Sequence, residues 1–480
     1  MSTRTENAYF SHEGRALLRS RVFELLGRTG VRLDHPLVLE RLAGAGADVD
    51  RESGRVRFPE AFLERALERA PRSVTLAGAE PARDRTVPCP DGAFLVRSNT
   101  GAPFYLDPDS GERRNVTPDD LALWARLADS LDGVDFCPFP SPSGVPVQTA
   151  DVHGLRCMLR NTRKHVWVQP YSGESVVHLL RLAAAACGGE RALRERPRIS
   201  MITCSLTPLD FKRMDLEIIV QASAAGVPLH ACSLPSAGTT APITIPGTIL
   251  LAAAEIVVMA AVAQTLQPGA PVIATPLIFF GDMATGSSVQ SSVEAVQGKA
   301  AAVAFLKAAF GLPTHTYGFG SDGPVPGDQS VLESTLLAGA VAAAGADILG
   351  GAGQLEVATT VSPVQLVLDE EIAQWLRRFR QELAVDDETL GWADLLATEP
   401  GAEFLRRKHT LRHCREAYRP RLLTRDGLAA WEAKGRSDLA ARALERMRAL
   451  TAQERPPVAP PEVCAELDAL VAAADRELTA

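Results

Sequence analysis

Aromatic and acidic side chains stand where several short apolar runs of this 480-residue chain end. The aromatic residues are Tyr171, Phe279, Tyr317 and Phe319, and the acidic residues are Asp282, Asp322 and Glu356. Ring faces attract cations, above all quaternary ammonium groups, and a carboxylate balances the cation's charge. If the runs are strands that end at one edge, these side chains predict a site for an organic cation. Each ring taken alone is equally compatible with a place in the core.

Three residues form a second pattern, which is typical of a metal site. His230 and Cys232 lie on one face of an apolar run by strand alternation, and Cys204 lies near the end of the preceding run. One imidazole and two thiolates are ligands that zinc accepts. A metal-dependent barrel hydrolase is therefore an alternative hypothesis, although buried thiols more often pack as small apolar groups.

A glycine-rich turn follows another apolar run and contains Gly350, Gly351 and Gly353. Such a turn either presents backbone N–H groups to an anion or lets two backbones pack closely. The sequence favours the two interpretations equally.

The elements that must position these residues alternate along the chain. Short apolar, β-rich runs cover residues 135–139, 165–170, 198–206, 228–234, 271–280, 313–320 and 346–353, and helical patterns separate them. Continuous apolar strands between helices are typical of a parallel sheet covered on both faces. With an eighth strand expected at 364–368, the pattern predicts an α/β fold of the (β/α)8 barrel type. Functional residues then lie at the carboxyl ends of the strands.

Three segments of the chain differ in composition and in their helix and strand patterns. Residues 1–134 are predicted to form a helical module with a β-hairpin, because helical patterns near 13–29, 36–46 and 59–70 precede short runs at 94–98 and 103–106. Thr117 and Pro118 predict the start of a helix that ends near residue 130. Residues 135–382 are assigned to the barrel. The arginine-rich residues 383–480 are assigned to a C-terminal helical extension that wraps the barrel.

Composition excludes several classes of function. The net charge of −8, from 58 acidic and 50 basic residues, argues against a nucleic-acid partner. The eight cysteines form no CxxC pair, which predicts reduced thiols in a cytoplasmic protein. The most apolar stretch, residues 249–263, is interrupted by Glu255 and is too short for a membrane span, so we expect a buried helix. No residue fixes an oligomeric state, although a homo-oligomer suits such a barrel.

Several runs of the sequence resemble one known family, the trimethylamine methyltransferase (MttB) superfamily. The resemblance covers residues 15–430, about the whole of the barrel and its flanks. The matching runs are GVRLDHPLVLERLAGAGADVD, GRVRFPEAFLERALERAPRSVTLAG, LDPDSGERRNVTPDDLALWARLADSLDGVDF, CSLTPLDF, AGTTAPITIPG, QPGAPVI, DMATG, YGFGSDGPVPGDQS, GADILGGAGQLE and HTLRHCREAYRPRLLTR. Each run alone is weak evidence, and the combination is specific.

The resemblance implies a barrel enzyme that moves a methyl group from a methylated amine to Co(I) of a separate small corrinoid protein. Some members carry pyrrolysine, and this chain contains only standard residues, so it is similar to the branch without pyrrolysine. Several proteins of that branch use quaternary amines such as glycine betaine, carnitine or proline betaine. A quaternary ammonium carries its own leaving group, which favours it over trimethylamine.

The resemblance also assigns roles to the candidate residues. If the substrate bears a carboxylate, His230, His315 and backbone amides are its candidate partners, and Gly350, Gly351 and Gly353 are candidates for contact with the corrinoid. The chain has Ser321-Asp322-Gly323-Pro324 where the family more commonly has Thr-Asp-Ala-Lys. This departure bears on the identity of the substrate more than on the class of reaction. It also keeps open a binding-only relative that holds a cationic metabolite.

Overall fold

Helices and short strands precede the centre of the fold. The computed structural model describes residues 9–99, 101–452 and 456–479. The first elements are α1 (His12–Arg28), β1 (Val31–Leu33), α2 (Pro36–Gly44), β2 (Asp48–Asp50), β3 (Arg55–Arg57), α3 (Glu60–Arg69), β4 (Val74–Leu76), β5 (Arg85–Val87), β6 (Leu95–Ser98), β7 (Phe104–Leu106), β8 (Arg113–Asn115) and α4 (Pro118–Ser130). The three predicted helices are confirmed. Thr117 caps α4, since its side chain accepts a hydrogen bond from the Asp120 backbone N–H.

Alternating strands and helices follow as far as residue 379. They are β9 (Phe136–Cys137), α5 (Ala150–Asn161), β10 (His165–Val168), α6 (Ser175–Cys187), α7 (Glu190–Glu195), β11 (Ile199–Cys204), β12 (Asp210–Phe211), α8 (Arg213–Ala225), β13 (Leu229–Ser233), β14 (Ser236–Ala237), α9 (Ile245–Leu266), β15 (Val272–Pro276), β16 (Phe279–Gly281), β17 (Ser288–Val289), α10 (Val293–Phe310), β18 (His315–Tyr317), α11 (Asp328–Ala343), β19 (Ile348–Ala352), β20 (Gln354–Leu355), β21 (Thr360–Val361) and α12 (Pro363–Phe379).

Seven of these strands and β6 form one parallel barrel, which confirms the predicted (β/α)8 fold. Their order is β15-β13-β11-β10-β9-β6-β19-β18. A further parallel bridge between Ala274 and Thr314 brings β15 beside β18 and joins the two ends of the sheet. The carboxyl ends of all eight strands therefore meet at one mouth.

The predicted eighth strand at 364–368 is wrong, because these residues form the first turns of α12. Ser362 caps the helix by accepting a hydrogen bond from the Gln365 backbone N–H, and Pro363 occupies the first turn. The run is apolar because α12 is buried between α11 and α16, the later helix Leu439–Thr451. A short apolar run does not distinguish a buried strand from a buried helix.

The strand that completes the barrel is β6, so the predicted hairpin between 94–98 and 103–106 is also wrong. β6 runs parallel to β19 and β9, with Leu95 opposite Ile348 and Arg97 opposite Phe136. The barrel thus begins well before the predicted boundary at residue 135. A hairpin does exist further on, where β7 and β8 pair antiparallel around the turn at Asp107.

Helix α9 is the most apolar element of the fold. It is 22 residues long, and within the described residues it is the one helix whose length and composition would suit a membrane span. However, 78% of its most apolar window is buried inside the protein. It packs against β13 and β15 and against α1 and α3, so it is a core helix, as predicted.

Five helices follow α12, and the last two of them pack against helices on the outside of the barrel. They are α13 (Trp392–Leu396), α14 (Lys408–His413), α15 (Leu428–Ala433), α16 (Leu439–Thr451) and α17 (Pro461–Leu478). α16 packs on α12 and α4, and α17 packs on α5 and α6. The fully buried Glu370 of α12 accepts hydrogen bonds from Arg446 and Arg421, which ties this part of the chain to the barrel. The division at residue 383 stays a prediction.

Candidate functional site at the barrel mouth

Phe279 and Tyr317 are two predicted aromatic residues that the structure brings together. Tyr317 ends β18, and Phe279 follows β15, its neighbour in the barrel. Their ring centroids lie 6.3 Å apart at an interplanar angle of 85°, an edge-to-face contact. Tyr317 is buried and Phe279 is half-buried. The pair therefore forms an aromatic wall at the mouth, of a kind that attracts cations.

The other two predicted rings lie apart from this pair. The Tyr171 hydroxyl hydrogen-bonds the Ser141 hydroxyl, and burial raises the pKa of Tyr171 to about 12, so the phenol stays protonated at neutral pH. Phe319 is fully buried, and its carbonyl accepts a hydrogen bond of 3.1 Å from Gln354 Nε2. Among the described residues neither ring forms a ring–ring pair with Phe279 or Tyr317.

Two of the three predicted counter-charges, Asp282 and Glu356, bind other side chains of the protein. Asp282 accepts a hydrogen bond of 2.6 Å from the Thr285 hydroxyl, which is the main reason why its pKa is lowered. Glu356 forms a 2.6 Å ion pair with Arg113, a residue of β8. Through these contacts both carboxylates hold turns of the mouth in place.

Asp322, the third predicted counter-charge, lies beside a buried lysine that sequence reasoning missed. Asp322 accepts the backbone N–H groups of Gln290 and Ser291 at 2.9 and 3.0 Å, and burial raises its pKa. Lys299 Nζ donates to the Gln290 carbonyl and lies 5.6 Å from the centroid of the Phe279 ring. Burial lowers the pKa of Lys299 to about 7, although the negative charge of Asp322 acts to raise it. The available signal was a lysine flanked by alanine and glycine in the apolar run of α10.

The two predicted histidines form a buried hydrogen-bonded chain in the barrel interior. His230 Nδ1 lies 3.2 Å from His315 Nδ1, and His230 Nε2 lies 3.2 Å from the Ser200 hydroxyl. That hydroxyl also contacts His165 Nε2 at 2.9 Å. Burial holds the pKa values of His230 and His315 well below the usual value, so both rings are neutral at physiological pH.

Arg97 of β6 completes this chain and was not predicted as a site residue. Its Nε lies 3.0 Å from His315 Nε2, and its Nη1 donates to the carbonyls of Ser98 and Asn99 at 3.0 and 2.7 Å. The guanidinium carbon lies 4.6 Å from the Trp167 ring centroid. Burial lowers the pKa of Arg97 to about 10, so the group remains a cation at neutral pH. The signal in the sequence was an arginine inside the apolar run FLVRS.

A third residue missed from the sequence, Glu255 of α9, binds the loops of the mouth from inside the fold. Its Oε2 accepts hydrogen bonds from the hydroxyls of Ser205, Thr207 and Ser233 at 2.5, 2.9 and 2.5 Å. Its Oε1 accepts the Leu209 backbone N–H at 2.8 Å. Glu255 thus joins the segments that follow β11 to the end of β13. It is fully buried.

The structure does not group the three predicted zinc ligands around one point. Cys204 and Cys232 are paired in register on β11 and β13, but the ring nitrogens of His230 face His315 and Ser200. Across residues 9–99, 101–452 and 456–479 no three histidine, cysteine or acidic side chains are grouped so as to hold a metal ion. The structure therefore gives no support to the hypothesis of a metal-dependent hydrolase.

The glycine-rich turn is explained by close packing. A Cβ at Gly350 would lie 2.5 Å from Arg97 Nη2 and from His315 Nε2, and a Cβ at Gly353 would lie 2.5 Å from the Trp124 ring. Gly351 has a φ of +95°, a conformation that glycine adopts readily. All three glycines are buried. A contact between them and a corrinoid stays a prediction.

Comparison with known proteins gives the family to which this barrel belongs. The family described as trimethylamine methyltransferase (MTTB) matches residues 2–479. The chain is a member of the MttB family. Trimethylamine methyltransferase MttB of Desulfitobacterium hafniense is 30% identical over 472 residues, which are 98% of this chain and 94% of that protein. A glycine betaine methyltransferase of Desulfitobacterium hafniense is 28% identical over 465 residues, 96% of each chain.

A solved structure supports the fold of this MttB-family chain. The crystal structure of the Methanosarcina barkeri monomethylamine methyltransferase covers 94% of this chain and 89% of its own, with a TM-score of 0.55 and 13% identity. The predicted family resemblance and the barrel are therefore confirmed. Membership also supports an enzyme that transfers a methyl group.

Asp369 gives a pH-dependent prediction for the mouth of this MttB-family barrel. Its carboxyl accepts the Gly353 backbone N–H at 2.7 Å, and burial raises the pKa of Asp369 to about 7. Between about pH 4 and 7 the folded state therefore binds more protons than the unfolded state, and stability falls as pH rises through that window. The isosteric Asp369→Asn cannot ionise. We expect its free energy of unfolding, relative to wild type, to rise by up to about 4 kcal/mol between pH 4 and 7.

Urea unfolding at pH 4, 5, 6, 7 and 8 measures this difference. The exposed Asp132→Asn serves as the matched control and should track wild type throughout. Parallel profiles for Asp369→Asn and wild type would show that Asp369 does not titrate in this window.

Proposed function

We propose that the protein transfers a methyl group from a small quaternary amine to Co(I) of a separate corrinoid protein. The observation that carries the proposal is the match to the MttB family over residues 2–479. A relative named glycine betaine methyltransferase, which covers 96% of this chain, supports a quaternary amine as the methyl donor. The sequence holds only standard residues, which is in keeping with a chain that works without pyrrolysine.

The aromatic pair at the mouth is the proposed binding site for the ammonium group. The edge-to-face contact of Phe279 and Tyr317 offers ring surface to the methyl groups of a cation at the carboxyl ends of β15 and β18. Holding the cation there fixes the direction of one N–CH3 bond, and a displacement at carbon needs that direction in line with the nucleophile. Co(I) supplies the nucleophile when the corrinoid protein docks over the mouth.

Two neutral imidazoles inside the barrel suit this reaction. His230 and His315 carry no charge at physiological pH, so they neither repel the ammonium group nor need to move a proton. A methyl transfer from a quaternary nitrogen releases a tertiary amine without any proton transfer. We further place the protein in the cytoplasm, since its cysteines are free in the structure.

A spectral assay tests the proposal. Free cobalamin reduced to Co(I) by Ti(III) is mixed with the protein and with glycine betaine, carnitine, proline betaine, choline or trimethylamine. We expect loss of the Co(I) absorption and formation of methyl-Co(III) with at least one quaternary amine, and none with trimethylamine. Failure to form methyl-Co(III) with any quaternary amine, or activity with trimethylamine alone, would overturn the proposal. Tight binding of an amine without methyl transfer would identify a binding-only relative instead.

The variant Phe279→Ala, with Phe404→Ala as its control, tests whether the aromatic pair of Phe279 and Tyr317 binds the substrate. Phe404 is a partly exposed aromatic residue in the C-terminal part of the chain. A desolvated cation–π contact is worth about 2 kcal/mol, so we expect Phe279→Ala to raise the KM for the active amine by roughly 30-fold. Phe404→Ala should leave it unchanged. Equal effects of the two variants would remove Phe279 from the site.

A further inference from the structure

We propose that residues 381–417 form an arm that packs against the same arm of a second copy of this chain. None of these residues, all of which the structure describes, is buried, although α13 and α14 lie among them. Five large apolar side chains of the arm are between 67% and 86% exposed, namely Leu383, Val385, Leu396, Leu405 and Leu411. A short helical segment needs a buried apolar face to offset the entropy that it loses on ordering. The arm has no such face within its own chain, so another molecule must supply it.

The arm consists of two limbs that contact each other. Residues 381–403 form the first limb and contain α13, and residues 404–417 form the second limb and contain α14. Glu388 Oε1 of the first limb lies 2.7 Å from Arg412 Nη1 and 3.0 Å from His413 Nε2 of the second limb. The two limbs therefore form one unit whose large apolar side chains remain exposed.

The charges of the arm are divided between its limbs. The first limb holds seven acidic residues and no lysine or arginine, and the second limb holds five lysine or arginine residues and one acidic residue. Among the described residues Asp387, Glu399, Arg406 and Arg415 form no ion pair. A two-fold axis that sets the acidic limb of each arm against the basic limb of the other pairs these charges, and such a surface is complementary to itself. The charges therefore favour a second copy of this chain as the partner.

The arm begins at the end of the barrel opposite the mouth. α12 ends at Phe379, and near this end Arg377 forms a 2.5 Å ion pair with Asp135, which precedes β9. Arg380 donates a hydrogen bond of 3.5 Å to the carbonyl of Gly92, which precedes β6. The amino ends of barrel strands thus lie beside the start of the arm. Pairing of two arms at this end is compatible with docking of a different protein at the mouth.

The length of the arm suits a stable protein interface better than a lipid surface. A standard interface uses about 20–30 residues and buries roughly 800 Å² on each side, and one arm is long enough to supply them. α13 has five residues and α14 has six, which is too short for a helix that lies in a membrane surface. The acidic limb would also be repelled by anionic lipids.

Sedimentation velocity of the full chain over a range of protein concentrations tests the inference with two charge-reversal variants. One variant carries Asp387→Lys and Glu399→Lys, and the other carries Arg406→Glu and Arg415→Glu. We expect wild type to form dimers or assemblies of dimers, and each variant alone to associate at least about 10-fold more weakly, because like charges then face each other. An equimolar mixture of the two variants should regain the wild-type size, since each reversed limb then meets a limb of opposite charge.

Matched substitutions outside the arm serve as controls. The pair Arg51→Glu and Arg65→Glu reverses two exposed charges of the N-terminal part of the chain and should leave association unchanged. Leu405→Ser should weaken association, whereas Leu17→Ser, at an exposed leucine of α1, should not. Hydrogen exchange gives a second measurement, because the amides of 381–417 should exchange slowly in the wild-type assembly and rapidly in the dissociated variants.

Three results would overturn the inference. The first is a wild-type chain that stays monomeric at every concentration. The second is a mixture of the two charge-reversal variants that regains no association, and the third is an assembly that Leu405→Ser leaves unchanged. If the arm amides of wild type exchange rapidly and slow down only when phosphatidylserine-containing vesicles are added, the arm binds a lipid surface instead of a second copy.

Discussion

Glu255→Ala is expected to lower the free energy of unfolding by about 3 to 5 kcal/mol, because it removes the acceptor shared by four donors, of which the Ser205 and Ser233 hydroxyls are buried. Three hydroxyls converge on Oε2 and one backbone N–H on Oε1. Hydroxyls can rotate toward other acceptors, but the Leu209 N–H is fixed by the backbone. Urea unfolding followed by tryptophan fluorescence measures the loss. A change below about 1 kcal/mol would mean that other acceptors or water replace the carboxylate.

Glu255→Gln is the matched control for shape. Its Oε1 still accepts the Leu209 N–H, and its amide donates to hydroxyls that can turn to accept. We therefore expect a cost of about 1 to 2 kcal/mol, well below that of the alanine variant. If the two variants lose equal stability, the negative charge of Glu255 rather than its acceptor geometry stabilises the mouth.

Gly353→Ala is expected to destabilise the protein by about 3 to 5 kcal/mol for two independent reasons. Gly353 has a φ of +90°, which a residue with a Cβ adopts only under strain. The added methyl would also lie 2.5 Å from the Trp124 ring and 3.0 Å from Leu366 Cβ, and both side chains are fully buried. α4 and α12 would have to move apart to accommodate it.

Gly339→Ala separates these effects from the loss of glycine as such. Gly339 lies within α11, and nothing would come within 4 Å of an added Cβ. Since alanine favours helix, we expect this variant to gain about 0.5 to 1 kcal/mol. The midpoints of urea unfolding for the two variants should therefore shift in opposite directions. A shared direction would contradict the steric account of Gly353.

The barrel was predictable because seven of its strands read as continuous apolar runs between helices. The run from Leu95 to Ser98 carries the same signal, but Asn99 and Gly101 after it are also typical of a hairpin turn. The Val364–Leu368 segment carries the apolar signal without being a strand, since α12 is buried by other helices. Local pattern gives the presence of an element, and the partners that bury it decide its type.

The sequence predicted the location of the site but not the contacts between its side chains. Phe279 and Tyr317 meet because the strand ends converge, which the barrel itself dictates. The partners of acidic side chains depend on loop conformation, so the pairing of Glu356 with Arg113 was beyond reach of the sequence. Arg97, Lys299 and Glu255 were missed because hydropathy treats a charge in an apolar run as an interruption, whereas here each lies buried.

The pairing of the first barrel strand with the last has a consequence for biosynthesis. Leu95 pairs with Ile348, so β6 leaves the ribosome long before β19 exists. Until then one edge of β6 is unpaired, and the Arg97 side chain has neither His315 nor a closed interior around it. Non-local pairing of this kind is slow and leaves strand edges exposed to other chains. The edge of β6 that faces β19 therefore stays unpaired until the chain up to residue 352 has been synthesised and has left the ribosome.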